Sequence, residues 1–213
     1  MRHERILLPL LPLSLLLGAI GLVAAACGGS SSGGGGGSAA GDCYDYTTFT
    51  GTTPVVTFST DVLPIFRQSC GISSACHGCD AVNNPGCTTP GYQPFLGVSM
   101  ADPTPTAAQI AAIFSTTVGK PALLQTSTID PSSMVGNPDM SIVKAGDPAN
   151  SFLTYKLDGA FPASPDNSEV TCSTLTCAAG MTCGGAMPSG GPNLASADRD
   201  TIRRWIAQGA KND

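Results

Sequence analysis

The chain has 213 residues, nine of them cysteine and only 12% of them charged, against about 25% charged in an ordinary soluble domain. Ten basic residues against fifteen acidic ones, a formal charge of −5, exclude a protein that coats nucleic-acid phosphates. The length admits one domain, and 26 glycines with 17 prolines predict many turns and few long elements.

A short basic start, Met1 to Arg5, precedes 21 uncharged residues, Ile6 to Ala26, which end in Ala24-Ala25-Ala26-Cys27. Small residues before a cysteine, after an apolar run broken by Pro9 and Pro12, resemble a bacterial lipoprotein signal. Residues 1–26 are then the signal peptide, Cys27 carries the lipid, and the mature chain is exported and membrane-anchored, at the outer membrane facing the periplasm or at the cell surface. The alternative is an uncleaved anchor, since such a run could just span a bilayer. Residues 28–41 are a glycine and serine tether that behaves as a coil about 20 Å across. The folded domain is 42–213. It loses two basic and one acidic residue with the signal and so becomes more acidic.

Four segments of this domain read as helices. In the first, Ser59 or Thr60 can cap, Asp61 sits in the first turn, and Val62, Ile65 and Phe66 make an apolar face ending at Cys70. Pro64 fits only near a helix start. The second runs from about Thr106 to Val118, with Ile110, Ile113 and Phe114 on one face and Gly119 as its stop. The third starts at Asp147-Pro148, carries Phe152, Leu153, Tyr155 and Leu157, and closes at Gly159. The last is capped by Ser196, shows an Ile202, Trp205 and Ile206 stripe and stops at Gly209. Between them lie cysteine-bearing loops, about 78–100 and 161–192. Loops this long need disulfides to order them. The expected class is mainly α.

The residues that carry chemistry follow the first helix. In Cys70-Gly-Ile-Ser-Ser-Ala-Cys76-His77 a cysteine directly precedes a histidine, with a second cysteine upstream. Two thiols and an adjacent histidine are the residue types for covalent haem attachment, the thiols adding to the vinyl groups and the histidine binding iron. The usual gap between the cysteines is two residues; here it is five. His3 leaves with the signal, so His77 is the only histidine of the mature protein. A bis-histidine haem and a three-histidine zinc site are thereby excluded. A second axial ligand would be a methionine, and among Met100, Met134, Met140, Met181 and Met187 the best placed is Met187, ahead of Pro188 and the last helix.

Asp61-Val-Leu-Pro-Ile-Phe66, Cys76-His77-Gly78, Gly146-Asp-Pro-Ala-Asn-Ser-Phe152, Cys183-Gly-Gly-Ala-Met187-Pro188 and Ile202-Arg-Arg-Trp-Ile206 follow one another in that order. Together they resemble the c-type cytochrome-like domains of exported bacterial proteins, abundant in deltaproteobacteria and planctomycetes, over about 58–210. The resemblance implies a small helical cytochrome c-like fold with the Trp205 helix packed on the first. It implies haem c bound through Cys70 and Cys76, with His77 as proximal and Met187 as distal ligand, serving single-electron transfer to a redox protein partner. His77 would donate its second ring nitrogen to a backbone carbonyl, that of Pro85, Pro90 or Pro94.

Other readings use the same residues. Cys70, Cys76, Cys79 and Cys87 with His77 could supply a zinc site of three cysteines and one histidine. Cys76-x-x-Cys79 could be a redox pair, without the βαβ surroundings of that class. Cys43, Cys70, Cys76, Cys79, Cys87, Cys172, Cys177 and Cys183 could instead all pair as four disulfides, leaving a haem-free scaffold that binds or braces in the envelope. Arg203-Arg204 reads as a solvated face, or as a docking patch for an acidic partner. No Gly-x-Ser-x-Gly or paired carboxylates point to hydrolysis, so an electron carrier or binding module is expected rather than a catalyst.

Overall fold

The structure is a computed structural model and describes residues 44–46, 49–125, 134–159, 185–189 and 191–213. The signal segment, Cys27 and the tether lie outside the described residues, as do Cys43, Cys172, Cys177, Cys183 and Met181. Among the described residues no helix is long and apolar enough to cross a membrane.

The chain is partly helical. A π-type turn, Phe58–Val62, runs directly into α1, Leu63–Ser69. The sequence places Asp61 in this first turn, and its carboxylate accepts hydrogen bonds from the Thr57 backbone N–H (2.7 Å) and hydroxyl (3.1 Å). Pro64 falls at the start of α1, where its missing N–H costs nothing. Helix α2 is Ala107–Thr117, closed at its N-terminus by a reciprocal capping box between Thr106 and Gln109. A 3-10 turn, Pro148–Asn150, capped by the Asp147 carboxylate, precedes α3, Phe152–Asp158. Gly159 ends α3 in the left-handed conformation (φ 67°). Helix α4 is Ser196–Ala207; Ala195, rather than Ser196, holds the cap position.

Between α2 and α3 lies an element that the sequence pattern does not announce. Strands β1, Pro121–Gln125, and β2, Met134–Ser141, pair antiparallel, with Ala122 opposite Asn137 and an irregularity next to Pro121. Neither strand carries the β-branched alternation that marks a strand in sequence.

The core closes where α1, α2 and α4 meet. Phe58, Phe66 and Trp205 are fully buried. The Trp205 ring lies 5.5 Å from Phe58, 6.1 Å from Phe66 and 6.0 Å from Phe114, mostly edge to face. Each such pair adds about 0.5–1.5 kcal/mol beyond area burial. The last helix therefore packs on the first, as the resemblance implies. The indole N–H donates to the Lys211 carbonyl at 2.9 Å, so the buried ring leaves no polar atom unpaired. Gln208 then fastens the incoming chain: its Oε1 accepts from Val56 N–H (2.9 Å), and its Nε2 donates to the Gly51 and Pro54 carbonyls.

Candidate functional site

The His77 loop begins where α1 runs out of hydrogen bonds. A helix leaves its last carbonyls without intrahelical partners. At the end of α1 the Cys70 and Gly71 N–H groups both donate to the Phe66 carbonyl, and the Cys70 carbonyl accepts from the His77 N–H at 3.1 Å. In a continuous helix that donor would come from four residues on. Here it comes from seven on, and the intervening residues fold into a turn of their own. The Ser73 carbonyl accepts from Cys76 and Gly78 N–H, and the Ser73 hydroxyl accepts from Ala75 N–H.

His77 is half-buried, and its Nδ1 faces two backbone carbonyls, of Pro94 at 3.1 Å and Tyr92 at 3.2 Å. Carbonyls only accept, so Nδ1 carries the proton and the neutral ring presents its lone pair at Nε2. Among the described residues Nε2 has no hydrogen-bond partner. Burial lowers the pKa of the ring below its ordinary 6.5, against the pull of the two carbonyls, and the nearby Lys156 ammonium adds to the lowering. The His77 carbonyl in turn accepts from Leu96 N–H at 2.8 Å, so residues 92–96 grip both ends of the histidine. Of the three prolines whose carbonyls the sequence offers as acceptors for His77, Pro94 supplies one; the Tyr92 carbonyl has no sequence signal.

The sulfurs divide differently from the sequence expectations. Cys79 and Cys87 form a disulfide (S–S 2.01 Å). The zinc site of three cysteines and one histidine and the Cys76-x-x-Cys79 redox pair therefore do not form. Cys70 is a free, buried thiol in the apolar core, and burial pushes its pKa up to about 12. All eight cysteines thus do not pair as four disulfides. Cys76 is buried and disulfide-bonded, to none of the other described cysteines.

Met187 is half-buried, and its backbone N–H donates to the Lys156 carbonyl at 2.8 Å. Lys156 thus connects the methionine segment to the histidine, whose titration it influences. Lys156 itself is 8% exposed, with its ammonium 5.8 Å from the Phe152 ring and its pKa lowered by burial to about 8. Met100 is exposed at 54% and Met140 is half-buried against the core.

A second polar centre lies between α3 and α4, and here the solvated-face reading of Arg203 is overturned. Arg203 is 2% exposed, and its guanidinium binds the fully buried carboxylate of Asp158. Arg199 approaches the same carboxylate at 3.9 Å, and the Tyr46 hydroxyl donates to it at 3.1 Å. Tyr44 stacks on Arg203, 3.6 Å from ring centre to guanidinium carbon. Burial raises the Asp158 carboxyl above its ordinary pKa, against the pull of Arg203 and Arg199. Charged side chains are buried only when paired, and Asp158 lies 45 positions from Arg203, beyond any local pattern. Arg204 stays half-buried, paired with Asp200.

The chain matches no family model, no curated protein and no solved structure.

Haem is the group that the Cys70, Cys76 and His77 pattern implies, and the residues fit it in part. His77 meets the requirement of an iron ligand, a neutral ring oriented by a carbonyl on its other nitrogen. Cys70 is a free thiol but lies buried in the apolar core, and the Cys76 sulfur is already committed to a disulfide.

Proposed function

We propose that this is an exported, lipid-anchored protein of cytochrome c-like fold, with Cys27 in the membrane, that carries single electrons on haem c. The observation that supports the reading best is the His77 ring, held by the Pro94 and Tyr92 carbonyls with the Nε2 lone pair left over. His77 would be the proximal ligand and Met187 the distal one, with Cys70 and Cys76 as attachment points. Haem, when bound, supplies a reversible one-electron couple. This chain's part is to hold the imidazole neutral and in one tautomer through the Tyr92 and Pro94 carbonyls. Cys76 can serve as an attachment point only as a free thiol, and so only in molecules that take up haem before its disulfide forms. The partner is a redox protein that docks at the domain surface.

Expression of the full chain in a periplasm competent for haem attachment tests this. A Soret band, a pyridine haemochrome spectrum and a haem mass retained on denaturation are expected, and His77→Ala should abolish the native axial-ligand spectrum. A wild-type protein without any of these overturns the reading.

The Cys76 disulfide favours a second reading, a haem-free, disulfide-braced scaffold that binds or braces in the envelope. It predicts a mass without haem, Cys76 recovered in a disulfide-linked peptide and Cys70 as a free thiol.

A further inference from the structure

We propose that residues 72–74 are a surface insertion into a single helical turn, so that Cys70 and His77 keep the backbone register of a histidine four residues beyond its first cysteine, with Gly78 and Gly91 as the positioning residues. The functional meaning of this inference rests on the cytochrome reading, but its geometry does not.

Three observations carry it. The Cys70 carbonyl, which in a helix accepts from the residue four on, accepts from His77 N–H, seven on, so the surplus is three residues. The surplus lies at the surface: Ser74 and Ala75 are exposed and Ile72 and Ser73 are half-buried, whereas Cys70, Gly71 and Cys76 on either side are buried. The turn is folded tightly against its neighbours by glycines. A Cβ on Gly78 would fall on the Gly71 carbonyl oxygen, and a Cβ on Gly91 would fall on the Ser74 carbonyl oxygen. Gly78 therefore serves the closure of Cys70 onto His77. Gly91 serves the insertion, because the atoms its Cβ would crowd are those of the Ser74 carbonyl, and it belongs to the stretch of chain that delivers the Tyr92 and Pro94 carbonyls to Nδ1.

Removing residues 72–74 leaves Cys70-Gly71-Ala75-Cys76-His77, with two residues between the cysteines. The two glycines then separate the roles. In the wild-type chain Gly78→Ala and Gly91→Ala each place a methyl on a backbone oxygen and should each lower Tm by about 3–10 °C. In the deletion chain Gly71 joins Ala75 directly, and the Ser73 carbonyl that accepts from Cys76 and Gly78 N–H goes with the Ser74 carbonyl. These donors have to pass to the carbonyls four residues back, those of Ser69 and Gly71. Gly91→Ala should then become neutral, while Gly78→Ala should keep its penalty. This is a coupling between two sites that a thermal double-mutant cycle reads without reference to any cofactor.

The experiment is that cycle on the full exported chain, with ¹⁵N spectra of the His77 ring as a second readout. Retained cooperative unfolding, an Nδ1-protonated ring and a vanished Gly91→Ala penalty in the deletion chain are the expected results. Loss of cooperative unfolding on deletion, loss of that tautomer, or an unchanged Gly91→Ala penalty overturns the inference. A separate sample matured with haem should show at least as much covalent haem in the deletion chain as in the wild type. If the cycle behaves as expected and both chains are haem-free, the insertion stands and the cytochrome reading fails.

Discussion

Asp158 and His77 are both titratable groups set into the folded interior, and they differ in how far their bonding capacity is used. Asp158 is surrounded on every side that the structure describes: Arg203 and Arg199 face its carboxylate, and Tyr46 donates to it. His77 is held through one nitrogen by two main-chain carbonyls, and the other nitrogen is left with its lone pair. The first arrangement sets one carboxylate between two guanidiniums and a tyrosine hydroxyl and ties α3 to α4. The second fixes a ring in place and keeps an atom in reserve. A group whose neighbours use up its bonding capacity braces the fold, whereas a held ring with a lone pair to spare is able to bind.

Breaking the closed centre should give the largest effect. Asp158→Ala removes the fully buried carboxylate that faces Arg203 and Arg199 and should cost about 3–5 kcal/mol, read from the urea midpoint. A loss below about 1 kcal/mol would mean that the centre is not closed. His77→Ala should cost less, about 1–2 kcal/mol for the released Tyr92 and Pro94 carbonyls, yet remove all binding that depends on Nε2. A stability loss as large as that of Asp158→Ala would remove the distinction between the two centres.

The smallest effect is the pH dependence of His77. Its folded pKa is lowered by burial, so the unfolded chain binds the extra proton between the folded value and 6.5. The contribution is fully present above about pH 6.5 and is lost as the pH falls through the folded value. His77→Gln should therefore flatten the acid side of the stability curve, measured as Tm at pH 7.5 and 5.5. An equal slope in the variant would show that the ring is not buried as described.

Local signals read well in this sequence, and distant ones did not. Gly159 and Gly209 end helices at the positions marked for them, with φ of 67° and 101°. Thr106 and Asp147 cap as short-range side-chain chemistry requires. The hairpin was hidden because PALLQ and MVGNPDMS carry no strand pattern; their pairing is set by neighbours in space. Arg203 read as a solvated charge because its partners, Asp158, Tyr44 and Tyr46, lie on other elements. At His77 the motif was visible and a proline carbonyl was expected. The gap of five residues departs from the usual two, and nothing in that count shows that the His77 N–H returns to the Cys70 carbonyl.

Trp205 is the only tryptophan in the chain, and it stands where α1, α2 and α4 converge, with its indole N–H tied to the Lys211 carbonyl. The protein thus carries a single tryptophan fluorophore, excitable apart from its four tyrosines, at the seam of its core. Its emission should be blue-shifted while the helices are docked and move to the red when they part. A bound chromophore that absorbs in the emission range would quench it by energy transfer, so one unlabelled sample reports both folding and cofactor occupancy.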